Sequence, residues 1–355
     1  MKKNSKMLAM LMAGAMTILL AGCSSDKAAA KTAETEAAKT TAASEQTSEK
    51  ATEAETEAAT ADKTFKIGVI QLVQHAALDA ANEGFFAALD EAGVKYEADQ
   101  QNASGEQANC LTIAEKLVND KDDLILAIAT PAAQAVAGVT KDIPILLTAV
   151  TDPAESGLVN DNENPGVNVS GTSDLTPVKE QIELLQKVLP EAKHIGLLYC
   201  SAESNSVLQI SMAKEACDAA GITYEEYTVP SSNEIQSVVE SMVGKVDAIY
   251  TPTDNVIAAG MSTVAMIAND NKIPTICGEA GMVEAGGLAT YGIDYYQLGY
   301  MTGEQAVDIL VNGADITTMP IGYLPAERCE LTVNKTTADA LGIDISGLEN
   351  AVVVE

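Results

Sequence analysis

The chain has 355 residues, 47% hydrophobic and 20% charged, which is enough apolar material for about two folded domains. Its 51 Asp and Glu against 21 Lys and Arg leave a formal net charge of −30, and Arg328 is the one arginine. That balance excludes nucleic acid as a partner, because a phosphate backbone needs a basic face, and it disfavours charge-driven docking on anionic lipid.

The N-terminus reads as an address. Lys2, Lys3 and Lys6 form a positive segment, and Met7 to Leu20 is an apolar run of 14 residues. The run is short for a membrane span and suits a secretory signal. Leu20-Ala21-Gly22-Cys23 then resembles a bacterial lipoprotein signal, which implies a signal peptide over 1–22 and acylation of Cys23. Acyl chains anchor by burying methylenes at about 0.8 kcal/mol each. Residues 24–63 use only Ala, Thr, Glu, Lys, Ser, Gln and Asp, so nothing there offsets the entropy of ordering. With Cys23 this stretch, 23–63, reads as a lipid-attached tether whose ends lie on the order of 35 Å apart. It carries little of the charge: −29 of it falls on residues 64–355.

The rest is two copies of one plan. Lys66-Ile67-Gly68-Val69-Ile70 matches His194-Ile195-Gly196-Leu197-Leu198 at an offset of 128, and Ala88–Glu97 matches Ala216–Glu225 at the same offset. Strands are expected at 66–70, 94–98, 124–128 and 144–148, with helices at about 78–92, 105–118 and 131–138. The second half repeats this with strands at 195–199, 222–228, 247–250 and 274–277 and helices at about 205–220, 232–243 and 256–269. Apolar strands alternating with helices imply parallel sheets covered on both faces, hence an α/β protein of two doubly wound lobes. Lobe one takes 64–175 and about 291–320; lobe two takes 176–290 and about 321–355. About three segments cross between them: Asn168–Lys179, Ala289–Leu298 and roughly Met319–Leu324.

In such sheets ligands bind beyond the carboxyl ends of the strands. The loops there are Gln71–Asp79, Thr130–Ala132 and Thr148–Gly157 in lobe one, and Cys200–Ser206, Thr251–Asn255 and Gly278–Gly281 in lobe two. Catalysis finds no footing in them. His75 and His194 are the two histidines; His194 starts a strand away from the cleft, and no phosphate-cradling glycine loop occurs. Cys110, Cys200, Cys217, Cys277 and Cys329 show no C-x-x-C spacing and read as buried free thiols, so no metal centre or cofactor is expected.

Binding fits better. A zwitterionic amino acid needs acceptors for its ammonium, and arginine or free helix amides for its carboxylate. Helix starts with hydroxyl or amide groups are Ser204-Asn205-Ser206, Thr253-Asp254-Asn255 and Thr130-Pro131. Candidate acceptors are Asp79, Asp152, Asp254, Glu279 and Asp294, each of which can also serve as a cap or turn residue. His75 contacts the ligand or packs its loop. An apolar side chain would lie on Leu78, Pro131, Ala132 and Pro153. A sugar would want aromatic platforms, and the loops contain no Trp or Phe; Tyr295 and Tyr296 stand near Asp294.

Several runs carry a resemblance: His75-Ala76-Ala77-Leu78-Asp79-Ala80, Ala129-Thr130-Pro131-Ala132-Ala133-Gln134, Ala149-Val150-Thr151-Asp152-Pro153, Asn205-Ser206-Val207, Pro252-Thr253-Asp254-Asn255 and Gly292-Ile293-Asp294-Tyr295-Tyr296-Gln297-Leu298-Gly299. In order, over about 64–345, they resemble the type I periplasmic-binding-protein fold and, within it, the TrpX-like substrate-binding lipoproteins of ABC importers. The sequence departs from that pattern at Gln74-His75-Ala76 and Gly278-Glu279-Ala280. The resemblance implies two Rossmann-like lobes, no enzymatic activity, and an aromatic or other apolar amino acid as ligand. It also implies an ABC permease and ATPase as partners for an exported monomer anchored on the outer face of the cell membrane. A ligand sensor for a membrane kinase and a sugar or nucleoside binder are the alternatives.

Overall fold

The structure, a computed structural model, describes residues 63–355. The signal peptide, Cys23 and the tether up to residue 62 lie outside the described residues.

Apolar runs too short for helices set the first sheet. In chain order the elements are β1 (Phe65–Gln71), α1 (Ala76–Glu91), β2 (Tyr96–Asn102), α2 (Gln107–Asp120), β3 (Leu124–Ile128), α3 (Thr130–Val139), β4 (Ile145–Val150) and β5 (Val169–Ser173). β3 and β4 are buried at every residue, which is why they read as unbroken apolar runs. Edge strand β2 is polar and half-exposed.

The second half gives α4 (Val178–Val188), β6 (His194–Cys200), α5 (Ser204–Ala220), β7 (Thr223–Val229), α6 (Ile235–Met242) and β8 (Ala248–Thr251). It continues with α7 (Asn255–Ala259), α8 (Met261–Asp270), β9 (Thr275–Cys277), α9 (Ala280–Glu284) and β10 (Ala289–Gly292). The chain ends through α10 (Tyr295–Leu310), β11 (Gly322–Tyr323), β12 (Glu330–Asn334), α11 (Lys335–Leu341) and β13 (Val352–Val354). The expected helix over 256–269 is two helices, α7 and α8, broken at Gly260, where a Cβ would fall 2.4 Å from the Ile235 side chain.

The strand orders are β11-β5-β4-β3-β1-β2 and β13-β12-β10-β9-β8-β6-β7. All pairings are parallel except β10 with β12. This is the doubly wound α/β architecture that the alternation implies.

β5 is the strand the pattern hides. Its Val-Ser-Gly-Thr-Ser sequence has one apolar residue, yet all five residues are buried. Buried hydroxyls survive there because they pair: Thr172 Oγ1 lies 3.1 Å from Thr148 Oγ1 and 2.7 Å from Thr302 Oγ1. Gly171, at φ 140°, sits where a Cβ would fall 2.0 Å from the Leu147 carbonyl oxygen. The expected switch of lobes at about residue 320 also moves. Gly322–Tyr323 pairs with Thr172–Ser173 on the first sheet, so the last crossing follows Tyr323 rather than occupying Met319–Leu324.

α10 packs on the first sheet against α1, backbone to backbone. A Cβ on Gly299 would fall 1.9 Å from the Ala81 carbonyl oxygen, and one on Gly84 would fall 2.0 Å from that of Tyr296. Phe85, Leu89, Leu298 and Ala306 are buried in the same core. Each large apolar side chain fully buried this way contributes roughly 1.5–3 kcal/mol. Cys110, Cys200, Cys217 and Cys277 are free and buried, Cys329 is free and half-buried, and burial raises the thiol pKa of all five. Among the described residues, no helix is long and apolar enough to cross a membrane.

Candidate functional site

The loops after the strands' carboxyl ends meet across the lobes. His75 Nε2 lies 3.2 Å from Asn255 Oδ1, and Gln209 Nε2 donates to Thr151 Oγ1 at 3.0 Å. At the rim Gln134 Nε2 donates to Ser204 Oγ at 3.3 Å, and Gln107 Nε2 to the Ala202 carbonyl at 3.0 Å. Between these contacts runs a narrow cavity. Its lining joins His75 and Leu78 of lobe one to Thr253, Asp254, Asn255, Ala258, Glu279 and Met282 of lobe two, with Asp174 and Tyr295 from the crossings.

The cavity is acidic. Asp174, Glu203, Asp254 and Glu279 are all buried, and no Lys or Arg lines it. Asp174 follows β5. Its Oδ2 accepts from Tyr295 Oη at 2.8 Å, whereas Oδ1 has no hydrogen-bond partner. Burial pushes this carboxyl up to about 6, against the opposing pull of the Tyr295 and Thr151 hydroxyls. Glu279 is pushed up to about 7, by burial first. Its two oxygens accept from the Gly281 and Met282 amides and cap α9.

Asp254 and Glu203 share the start of α7. Asp254 Oδ1 accepts from the Ile257 amide at 2.8 Å; its Oδ2 accepts from the Cys200 amide at 2.6 Å and from Ser206 Oγ at 2.7 Å. Glu203 accepts from the Val256 amide at 3.1 Å, Asn255 Nδ2 at 2.6 Å and Asn205 Nδ2 at 3.1 Å. Burial and their mutual repulsion raise the Glu203 carboxyl above its ordinary range, and burial raises Asp254. Because Asn255 turns its Nδ2 to Glu203, its Oδ1 faces His75 and the imidazole donates from Nε2. Burial lowers the His75 pKa, so the ring is neutral at pH 7 and Nδ1, which has no partner, is an acceptor.

Six of the expected residues meet in the cavity: His75, Leu78, Thr253, Asp254, Asn255 and Glu279. Asp254 was expected as an ammonium acceptor, but its oxygens are committed to three protein donors, so it is scaffold. Ser206 serves that scaffold, and Asn205 retains one partnerless oxygen.

Asp79 and Asp152 lie off the lining. Asp79 holds Gln71 Nε2 at 2.7 Å, and Asp152 holds the Ala154 and Glu155 amides and Asn162 Nδ2. Asp294 is exposed and caps α10 at the Gln297 amide, and Ser204 is exposed on the rim. Asp152 and Asp294 drop out because short acids at loop starts satisfy the nearest backbone amides first, whereas Asp79 and Ser204 are taken by the side-chain amides of Gln71 and Gln134.

Thr130, Pro131 and Ala132 are buried outside the lining at the start of α3. Thr130 Oγ1 has no partner, and the preceding Ala129 is held at φ 82° and ψ 152°. Such a conformation stores on the order of 1–3 kcal/mol and clusters at functional sites.

Asp174, Glu203, Gln209 and Thr151 were not singled out from the sequence. Glu203 lies in a flagged loop beside three residues that resemble caps more closely. Asp174 sits in a polar crossing that periodicity does not read.

A two-lobed α/β protein with partnerless polar atoms along the facing sheet edges defines a solute receptor. The family model for ABC transporter substrate binding protein matches residues 66–353, and the chain belongs to that family. It is 38% identical over 355 residues to a tyrosine-binding protein of Clostridioides difficile, covering 99% of this chain and 96% of the relative. Among solved structures, an ABC domain from Streptococcus pneumoniae in complex with L-Trp is 41% identical, with a TM-score of 0.79 over 82% of this chain and 100% of the other. The ligand-free, open structure of a substrate binding protein from Clostridium difficile is 45% identical, with a TM-score of 0.63 over 82% of this chain and 99% of the other. The lower score goes with the higher identity.

Proposed function

We propose that this chain binds an aromatic or other apolar amino acid between its lobes and delivers it to an ABC permease and ATPase. One observation carries the reading. Of the eleven buried side-chain N or O atoms without a hydrogen-bond partner among the described residues, two, His75 Nδ1 and Asp174 Oδ1, line the inter-lobe cavity, and three more, Thr130 Oγ1, Asn205 Oδ1 and Thr251 Oγ1, lie in the strand-end loops of the cleft face. Buried polar atoms are otherwise paired, so a cluster of orphans marks where a polar ligand docks.

The arrangement has two ends. Asp174 Oδ1 accepts the ammonium, with neutral His75 Nδ1 as a second acceptor. The carboxylate lies at the start of α3, where the Thr130 hydroxyl and the uncapped amides replace an arginine. Leu78, Ala258 and Met282 supply apolar wall for the side chain. The relatives' tyrosine and L-Trp support an aromatic ligand. No reaction is catalysed, because neither histidine stands as a base beside a nucleophile. His75 is held by Asn255, and His194 lies 2.9 Å from Thr223 at the opposite edge of its sheet.

On this reading residues 1–22 direct export, Cys23 carries the lipid, and the receptor works outside the cell as a tethered monomer. Calorimetry against the twenty amino acids, sugars, nucleosides and short peptides tests the ligand. Tighter binding of Tyr, Trp or Phe than of all the others is the expected result, and a preference for a sugar or nucleoside sinks the proposal. Cys23→Ala tests the anchor: the protein should leave the membrane fraction for the medium.

A further inference from the structure

Gln209, in the second turn of α5, is fully buried and belongs to lobe two, yet its amide serves both lobes. Within lobe two, Oε1 accepts from the Thr253 amide at 3.3 Å, and Nε2 donates to Thr253 Oγ1. Across the cleft the same Nε2 donates to Thr151 Oγ1 at 3.0 Å. Both amide protons and the carbonyl are therefore satisfied, one proton by the opposite lobe.

The two rim bonds, from Gln134 and Gln107, are exposed and compete with water. The Gln209 bond is buried at both partners, so water does not replace it while the lobes are together.

Thr151 follows β4 in lobe one, and its backbone carbonyl accepts from Ser173 Oγ at 2.7 Å, next to Asp174. The geometry points to Gln209 as a closure latch: its Nε2 reaches Thr151 across the cleft, so the bond forms as the lobes close and holds the closed arrangement around a ligand. This rests on the inter-lobe cleft being the ligand site. It makes affinity depend on a residue that does not line the cavity.

Stopped-flow binding of the cognate amino acid tests it. Gln209→Leu should raise the dissociation rate about tenfold, the effect of stranding one buried hydrogen-bonding group, and leave the association rate within about twofold. Thr151→Val, a conservative change on the other lobe, should do the same. The double variant should be little worse than Gln209→Leu alone, because the bond across the cleft is already gone in that variant. Additive effects, or a slowed association with unchanged dissociation, overturn the proposal.

If the unmodified protein binds no amino acid, the ligand reading fails first, and the latch is then read without ligand. Electron–electron distances between labels at Leu111→Cys and Val243→Cys, both exposed and on different lobes, should lengthen on Gln209→Leu in a Cys329→Ser background. An unchanged distribution overturns the latch.

Discussion

The two lobes repeat one plan but finish their cleft edges differently. In lobe two the starts of α7 and α9 are filled by the chain's own carboxylates, Asp254 and Glu203 on one and Glu279 on the other. In lobe one neither α1 nor α3 has a side-chain cap; His75 and Ala129 stand at the cap positions. Helix starts favour anions. Lobe two has satisfied that preference internally and presents acids, whereas lobe one leaves it open. On the proposed binding mode the open start of α3 takes the ligand's carboxylate and Asp174, at the crossing, takes its ammonium, which is how a chain with a single arginine holds a zwitterion.

Asp254→Ala attacks the filled edge and should have the largest effect, about 3 kcal/mol of stability, because it strands three buried donors. Chemical denaturation measures it, and a loss below about 1 kcal/mol would return Asp254 to the ligand. Asp174→Asn removes the ammonium acceptor and should weaken amino-acid binding about thirtyfold to a hundredfold by calorimetry, with little loss of stability.

The pH dependence sharpens the same contrast. Asp174 and Glu279 have folded pKa values of about 6 and about 7, above their ordinary values. Their protonated forms are favoured in the fold, so that contribution to stability is fully present below about pH 4 and is lost as pH rises through 6 and 7. Tyr295, Thr151, His75 and Asp254 are the neighbours that face this pair. Ammonium binding needs Asp174 charged, so affinity should rise over the window in which ligand-free stability falls. Parallel trends would refute the assignment.

Thr130→Val tests the open edge and should cost about fivefold in affinity. Asp294→Ala, an exposed cap away from the lining, should change affinity by less than about twofold.

Much of this was legible in the sequence for a plain reason. β3 and β4 are buried on both faces, so they appear as apolar runs, and the 128-residue repeat locates their partners. β5 escaped because its burial is balanced by threonine hydroxyls pairing with one another, a relation between Thr148, Thr172 and Thr302 that no local pattern contains. The site divided similarly. Loop positions were readable from strand ends, and six of the residues chosen there do meet. The identity of the free acceptor was not, since Asp254 and Asp174 look alike in sequence. They differ in how many amides surround them: Asp254 stands at a helix start, and Asp174 follows a strand into a crossing.

The glycine contact between α1 and α10 has a mechanical consequence. Residue 81 lies against 299 and 85 against 303, so the two helices run side by side in the same sense, and their first residues follow His75 and Asp294. With backbone touching backbone, no side chain is left to act as a cushion. His75 and Tyr295 are therefore mounted on one stiff double bar. A push on either, from Asn255 across the gap or from Asp174 in the crossing, is shared by both without slack.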